Sequence, residues 1–593
     1  MTKADAVGVL PSWDLADLYN DPGSDDLQRD VSDAAAAAKL LAKTYRGHVG
    51  TLARDDFSKA IKTYESIHED LGRVASYAQL LHAGHLNDPT ISKFAQDIHE
   101  QLNGISTDLI FFTLEINRLE EATLDALLGG SAEKYRPWID NVRAHREHEL
   151  GDDVEKLFHE KAVTSSNSWA RLFDETLAAS RYGIGEERLS LEGTLNLLSS
   201  VDREQRRQAS TALAATFESK APLFALVTNT LAKDKEIEDR WRHFAAPETS
   251  RHLENLVEPE VVDALETAVV DSYSRTAHRY YALKSRWLGV DQLEHYDRNA
   301  PLPQADEQLI TWKEARDVVL SAYGRFSSDL QQVGTKFFDN AWIDAQPRPG
   351  KAPGAFAHPT VPSVHPYLLL NYQGKVRDVM TLAHELGHGV HQVMAGHNGA
   401  LMADTPLTLA ETASVFGEQL VFRALLDAET DTARRKHMLA SKVEDMINTV
   451  VRQIAFYRFE KAVHVGRREG ELTLDRLGDI WLETQTESLG PAVNLGPVYR
   501  NYWTYIPHFI HSPFYVYAYA FGDCLVNALY AVFQESESGF QERYIEMLRA
   551  GGTKRHKELL SPFGLDASDP AFWQRGLNLI SGFIDELERM DTA

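Results

Sequence analysis

The sequence is poor in cysteine and in positive charge, and each shortage excludes a class of protein. Its 593 residues contain one cysteine, Cys524, so neither an intramolecular disulfide framework nor a CxxC metal site can form. A single thiol is typical of a reducing compartment. Lys and Arg total 61 against 87 Asp and Glu, and the net charge of −26 disfavours nucleic-acid binding. Any metal must therefore be bound by histidines and carboxylates.

Long hydrophobic runs are also missing. Residues 1–13 lack the apolar core of a signal peptide. No uncharged apolar run approaches the roughly 18 residues that a membrane span needs. The longest runs, such as 109–113 and 367–370, have the length of core elements. We therefore expect a cytoplasmic protein that binds neither membranes nor nucleic acid.

What remains is the pattern of a large, mainly α-helical protein. Apolar residues recur every three or four positions in segments rich in Ala, Leu, Glu, Lys and Gln. These predicted helical segments are 29–45, 57–82, 91–128 and 203–217. A weakly marked boundary near residue 190 divides an N-terminal helical region, 1–190, from a second region, 191–593.

Two segments interrupt the helical pattern. One is 297–306, which predicts a turn, and the other is 344–374, which is rich in proline and glycine. Within the second, 354–357 and 367–372 are predicted as short strands. We therefore expect a small β-sheet immediately before a long helix.

That long helix, predicted over 376–395, carries an HExxH pattern formed by His384, Glu385 and His388. On a helix, positions i and i+4 lie on one face, so both imidazoles can reach one ion. Glu385 projects about 100° round the helix axis and flanks the ion. This position suits a base that acts on water activated by the metal.

The alternative is an incidental histidine pair on an ordinary helix. Gly387 and Gly389 argue for a specialised helix, because each costs roughly 1 kcal/mol of helix stability relative to alanine. Glycine at these positions makes sense if another segment approaches the helix closely.

A catalytic zinc usually has three protein ligands and one open position, so a third ligand is needed. The first helix should end near Gly396, and Thr405 followed by Pro406 is typical of a new helix start. The second helix, predicted over 407–425, places Glu411 in its first turns. A helix–loop–helix hairpin would fold Glu411 back onto the histidine pair. The alternative for Glu411 is a solvent-facing acid favoured by the helix dipole.

Three further polar residues near the pattern receive other roles. Glu418 lies seven residues after Glu411 and suits a carboxylate that orients a ligand imidazole, although an incidental surface position is an equal alternative. His391 is assigned to packing or to a supporting contact, because a fourth protein ligand would close the site. His397, in the loop, is predicted to be exposed.

Taken together, HELGH and the later LAETASVFGE around Glu411 resemble the M3 family of zinc metallopeptidases, particularly the oligoendopeptidase F branch. Four other stretches agree with the resemblance, which spans nearly the whole chain: WDLADLY, SSNSWARLFDET, RPGKAPGAF and IPHFIHSPFYVYAYA. It implies a large multi-helix zincin-type fold with a small β-sheet beside the active-site helix and a deep substrate channel. It also implies one zinc ion per chain, bound by His384, His388 and Glu411, with Glu385 as base and proton shuttle.

The resemblance also implies that His and Tyr residues of the last stretch contact substrate and transition state. His508 and Tyr517 are the residues predicted for this role, with Tyr515 next, although core packing is an alternative for each tyrosine. A phenol or imidazole donor there could stabilise a developing oxyanion. The chain departs from its relatives at Ile510, where they often have tyrosine, so His511 or Tyr515 is predicted to substitute.

The predicted function is zinc-dependent endopeptidase activity on internal bonds of short, unstructured oligopeptides. Release of carboxy-terminal dipeptides within the same superfamily is one alternative, and a non-catalytic metal or peptide carrier is another. Two His and one carboxylate favour zinc over cobalt or manganese. A further hypothesis places an extended peptide along the edge of the predicted strand at 367–372.

Overall fold

The computed structural model describes residues 7–302, 309–535 and 538–592, and the predicted mainly helical fold is confirmed. The helices, in chain order, are α1 Asp25–Tyr45, α2 Arg54–Gly84, α3 Pro89–Thr107, α4 Ile110–Arg118, α5 Glu121–Leu128, α6 Arg136–Arg143, α7 Asp152–Ala162, α8 Ser166–Ala179, α9 Leu191–Asn196, α10 Arg203–Trp241, α11 Thr249–Glu254, α12 Pro259–Ser272, α13 Ala277–Trp287, α14 Trp312–Phe326, α15 Ser328–Asp339, α16 Val376–Ala395, α17 Leu407–Ala428, α18 Thr432–Thr449, α19 Val451–Glu469, α20 Leu474–Leu489, α21 His508–His511, α22 Tyr517–Glu535, α23 Phe540–Arg549, α24 His556–Leu560 and α25 Pro570–Thr592. None of these helices, as far as they are described, combines the length and the apolar character that crossing a bilayer requires.

The strands are few and short. In chain order they are β1 Tyr182–Ile184, β2 Glu187–Leu189, β3 Leu293–Glu294, β4 Ile343–Asp344, β5 Phe356–His358, β6 Tyr367–Leu369 and β7 Val493–Asn494. β1 and β2 form an antiparallel hairpin, and β3 pairs with β7 in parallel. The turn predicted over 297–306 lies partly outside the described residues.

The chain divides into two compact units, each built from three chain segments. Unit 1 contains Met1–Arg146, Glu307–Ala428 and Val532–Gly564, and unit 2 contains Glu147–Asp306, Glu429–Ala531 and Leu565–Ala593. The boundary predicted near residue 190 lies within the first segment of unit 2. The division of the sequence into regions 1–190 and 191–593 stays a prediction.

The predicted small sheet lies in unit 1, immediately before α16. Its strand order is β4–β6–β5, with β4 parallel and β5 antiparallel to β6. The hypothesis that a peptide adds to the strand at 367–372 is therefore wrong, because β6 is hydrogen-bonded on both sides. β4 and β5 are the edge strands of this sheet, and the N-terminal segment covers the outer side of β4, where the Ala345 N–H donates to the carbonyl of Pro11. The edge that stays open is that of β5.

A buried ion-pair network fixes this sheet and explains part of the RPGKAPGAF stretch. Asp344 at the end of β4 is fully buried. Arg348 binds both of its carboxylate oxygens, at 2.8 and 2.7 Å. The ammonium of Lys351 contacts the Asp344 Oδ1 atom at 2.9 Å and also donates to the carbonyl of Leu370, at 2.5 Å. The network thereby ties β4 to the chain that follows β6.

Candidate metal centre

Helix α16, which carries the HExxH residues, has the predicted bounds and a fixed start. The Asp378 carboxylate accepts hydrogen bonds from the backbone N–H groups of Gln373 and Lys375, at 2.8 and 3.0 Å. Its buried face contains Leu382, Ala383 and Leu386, none of which has exposed surface. These contacts hold the opposite, polar face of the helix in place.

The two histidines of the pattern lie on that polar face. His384 and His388 have ring centroids 4.9 Å apart and ring planes inclined at 82°. Their side chains are 27% and 19% exposed, so a ligand can still reach both imidazoles.

Glu411, from helix α17, completes the cluster. Its Oε2 atom is 3.4 Å from Nε2 of His384 and 3.6 Å from Nε2 of His388. One ligand atom from each residue lies within 4.8 Å of the others, and this is the one such group among the described His, Cys, Asp and Glu residues. Ligands about 2.1 Å from a tetrahedral zinc are about 3.4 Å apart, so the two distances from Glu411 to the histidines fit one ion between them.

Gly387 makes the close approach of α17 to α16 possible. A Cβ atom at this position would lie 2.5 Å from the carbonyl oxygen of Ala413 and 2.6 Å from Cα of Ser414. At Gly389 a Cβ atom would lie 2.7 Å from the ring of Phe337. Both glycines therefore serve the close packing that the sequence predicts.

Glu418 and Ser414 contact two of the three residues of the cluster and hold them in position. Oε2 of Glu418 is 3.4 Å from Nδ1 of His384, so the carboxylate faces the imidazole nitrogen that is turned away from Glu411. The Ser414 hydroxyl donates a 2.6 Å hydrogen bond to the Glu411 carboxylate. Carboxylate and hydroxyl partners of this kind fix the tautomer and orientation of metal ligands.

The ionisation of the histidines reflects these contacts. Burial alone would lower the pKa of His384, but the hydrogen bond with Glu418 and the charges of Glu411 and Glu385 raise it to about 9. Burial lowers the pKa of His388 to about 4, against the attraction of Glu411. The acidic neighbours thus favour the protonated form of His384, and burial favours the neutral form of His388.

His391 and His397 lie outside the cluster, as predicted. His391 is 5% exposed, its Nε2 atom is 3.2 Å from the Thr405 hydroxyl, and burial lowers its pKa to about 4. His397 is exposed in the loop, where its Nδ1 atom lies 3.0 Å from the carbonyl oxygen of Met394.

Glu385 flanks the three residues and is nearly buried, with 8% of its surface exposed. Burial raises its pKa to about 7, while the charge of His384 and a hydrogen bond from the backbone of Ala357 act in the opposite direction. Ala357 is the middle residue of β5, so the free edge of the sheet lies beside this carboxylate. A carboxyl group with a pKa near neutrality can both accept and release a proton.

A remote segment of unit 1 supports the helix pair. The Tyr544 hydroxyl donates to the carbonyl of Thr412 in α17, at 2.8 Å. The loop between the helices is held by Asn398, whose amide donates to the carbonyl of Arg549, and by the backbone N–H of Gly552, which donates to the carbonyl of Met402. The sequence analysis did not identify this support, since nothing local in the pattern points to it.

His508 and Tyr517, also predicted as site residues, lie in unit 2. Tyr517 has no exposed surface. Its hydroxyl accepts a 2.8 Å hydrogen bond from Asn255 and is 3.1 Å from Nδ1 of His252. The geometry of unit 2 thus favours packing for Tyr517, and its catalytic role stays a prediction that rests on the resemblance.

His508 is partly exposed and has different neighbours. Its Nε2 atom is 3.2 Å from the hydroxyl of Tyr519, and its ring stacks on Tyr515 at a centroid distance of 6.0 Å. Ile510 is buried, and Nε2 of His511 lies 2.9 Å from the Asp174 carboxylate. The period-two tyrosines gave no means of separating exposed Tyr519 from buried Tyr517.

Family models and relatives agree with this geometry. A model described as peptidase family M3 matches residues 196–579, and one described as oligopeptidase F matches residues 115–182. The chain is 26% identical to oligopeptidase PepF of Bacillus subtilis, over 98% of this chain and 87% of that protein. It is 25% identical to group B oligopeptidase PepB of Streptococcus agalactiae, over 98% and 96% of the two chains.

Solved structures share the fold. Oligoendopeptidase F from Enterococcus faecium is 22% identical and superposes with a TM-score of 0.72, over 96% of this chain and 99% of that one. PZ peptidase A is 16% identical, with a TM-score of 0.70 over 95% and 98% of the two chains. At these identities the likeness concerns the fold.

Proposed function

This chain belongs to peptidase family M3 and is a metallo-oligopeptidase, and from that premise we propose that it is a zinc-dependent endopeptidase cleaving internal bonds of short, unstructured oligopeptides. The observation that carries the proposal is the convergence of His384, His388 and Glu411 on one point, with Glu385 beside them. The three ligands leave a fourth tetrahedral position for the reaction.

In this proposal each residue has one task. His384, His388 and Glu411 would hold zinc, which would supply a Lewis acid and lower the pKa of water to about 7. Glu385 accepts the proton of the attacking water at its carboxylate and passes it to the leaving amine. Partial burial of Glu385 supports this task, because it keeps the carboxylate from being fully solvated.

We propose that the peptide adds to the free edge of β5. The backbone of Ala357, the middle residue of β5, interacts with the Glu385 carboxylate, so this strand adjoins the proposed base. Pairing along a backbone edge selects extended, unstructured chains and imposes little sequence preference. This agrees with substrates that are oligopeptides rather than folded proteins.

The direct test is digestion of a peptide library of graded length by the purified protein. We expect products from internal bonds, loss of cleavage after chelation and recovery on adding zinc. Mass spectrometry identifies the cleaved bonds, and the Glu385→Gln variant controls for contaminating peptidases. Products limited to carboxy-terminal dipeptides would replace the endopeptidase proposal with the alternative activity, and metal binding without any cleavage would indicate a carrier.

Removal of the Glu418 carboxylate should weaken zinc binding without removing a ligand. We expect Glu418→Gln to lower zinc affinity about 10- to 100-fold, because the His384 imidazole loses the anion that orients it. Competition with a chromophoric chelator measures the affinity independently of activity.

Asp427→Asn is the matched control for this variant, since Asp427 is an exposed acid further along the same helix. It should bind zinc as the wild type does. Equal zinc affinity of the Glu418→Gln variant and the wild type would contradict the orienting role.

A further inference from the structure

A cavity of about 260 Å³ lies in unit 2 and is lined by cationic and phenolic side chains. Its polar lining includes Arg298, Arg452, His295, Tyr499 and Tyr505. None of these residues belongs to the candidate metal centre, and the proposed peptidase reaction uses none of them.

The two arginines of this cavity have no carboxylate partner within 4 Å among the described residues. Arg298 is only 8% exposed, and its guanidinium makes a long contact of 3.4 Å with the Asn299 amide oxygen. Arg452 donates to the Tyr505 hydroxyl at 3.3 Å and lies over the ring of Phe456. Its buried Nε atom has no hydrogen-bond partner.

The acidic groups of this region are bound by other cations. Asp297 is fully buried and is bound by Arg203 at 2.7 Å and by Arg206 at 2.9 Å. Glu444 pairs with the buried ammonium of Lys284. The charge of Glu444 also acts on Arg298, but from beyond ion-pair distance, so neither arginine of the cavity has a directly paired carboxylate among the described residues.

A buried guanidinium group such as that of Arg298 is energetically costly when no carboxylate is paired with it. An arginine does not lose its proton in a protein, so it cannot relieve burial by becoming neutral. Removing an ion from water costs several kcal/mol unless an opposite charge compensates it. A bound anion would add compensation for Arg298, which is 8% exposed, and for Arg452, which is half-buried.

The hydrogen-bonding groups of the cavity specify what kind of anion this is. Tyr505 accepts a hydrogen bond from Arg452, and the neighbouring Arg298 guanidinium acts to lower the pKa of the Tyr499 phenol, against the larger effect of burial. Each phenol therefore keeps its own proton available to donate. Two guanidinium groups and two phenols form a set of donors, which suits a ligand that only accepts.

The size of the cavity limits the ligand. Pockets for drug-sized molecules measure about 300 to 1,000 Å³, and this cavity is smaller. We propose that it binds a small oxyanion, the chemistry shared by inorganic phosphate and by a free carboxylate such as acetate.

The first test is a titration of the full-length protein with phosphate and, separately, with acetate. Ionic strength is held constant with a chloride salt, whose anion carries no acceptor oxygens. We expect the Tm to rise with anion concentration, because a ligand that binds only the folded state stabilises it. A rise with one anion alone identifies the source, and a Tm that neither anion changes at millimolar concentration overturns the proposal.

The second test replaces one cation. In Arg452→Gln we expect the anion-dependent rise in Tm to disappear. In anion-free buffer we expect the Tm of this variant to be no lower than that of the wild type, since an uncompensated charge is removed. An unchanged anion response in Arg452→Gln would refute the site.

Arg458→Gln is the matched control on the same helix, α19. Arg458 is paired with Glu487 and lies 3.4 Å from Glu266. It should keep the anion response and lose stability in anion-free buffer. If Arg452→Gln does not fold, direct calorimetric titration of the wild type with the two anions decides the question. None of these measurements depends on peptidase activity.

Discussion

Replacing Glu385 by glutamine should lower kcat for peptide cleavage about 10²- to 10⁴-fold, the usual contribution of a general base. The amide has the shape of the carboxylate but cannot accept the proton of the attacking water. Zinc binding should be preserved, because Glu385 is not one of the three residues of the cluster. Steady-state kinetics on a single peptide, combined with metal analysis, measures both quantities.

Two further variants give this prediction its controls. Glu100→Gln makes the same chemical change at an exposed position of α3 and should leave kcat unchanged. Glu411→Gln removes a proposed ligand and should lose zinc and activity together. Cleavage by zinc-loaded Glu385→Gln at the wild-type rate would show that another group is the base.

Gly387→Ala should disrupt the metal centre although no ligand is altered. The added Cβ atom would lie 2.5 Å from the Ala413 carbonyl oxygen, so α17 must move away from α16. A displacement of about 1 Å at a catalytic group can cost 10²-fold in rate. We expect at least that loss in activity, weaker zinc binding, and about 1 to 3 kcal/mol lower free energy of unfolding from overpacking.

The controls for Gly387→Ala use other helical glycines. Gly104 in α3 has no atom within 4 Å of an added Cβ, so Gly104→Ala should stabilise the protein by up to about 1 kcal/mol. Gly389→Ala meets the ring of Phe337, a side chain and not the backbone, and should have an intermediate effect. Normal zinc content and wild-type stability in Gly387→Ala would contradict the role assigned to the close helix contact.

The candidate metal centre could be predicted from sequence because its determinants are local. The i, i+4 spacing fixes the histidine pair, and the short connection between two helices forces an antiparallel return that brings Glu411 back. Gly387 and Gly389 also predict from sequence that another segment packs closely against the helix. Each inference depends on fewer than thirty consecutive residues.

Features that depend on remote segments could not be predicted. The partner of β6 on its second side is β4, a strand of two residues with no recognisable pattern. Without β4, the sequence pattern predicts an edge strand at 367–372, whereas this strand lies in the middle of the sheet. The segment predicted as one helix over 91–128 is divided among three helices, because propensity alone does not locate short breaks between good helix formers.

The tyrosines after Pro513 show a similar limit. Helix α22 begins at Tyr517, so Tyr517 and Tyr519 lie about 200° apart round the axis, and one is buried while the other is exposed. A period of two could not reveal this, because it fits a strand as well as a helix start. The prediction of Tyr517, with Tyr515 next, rests on the resemblance and not on the spacing of the tyrosines.

The contact between Tyr544 and Thr412 joins residues 132 positions apart in the chain. It can therefore form only after the segment that contains Tyr544 has been synthesised. During synthesis the HExxH helix and its partner emerge long before the segment that braces them. The metal centre would reach its final rigidity only when nearly the entire polypeptide has left the ribosome. Zinc acquisition is therefore expected late in biogenesis, and nascent chains halted before residue 540 should bind the ion weakly.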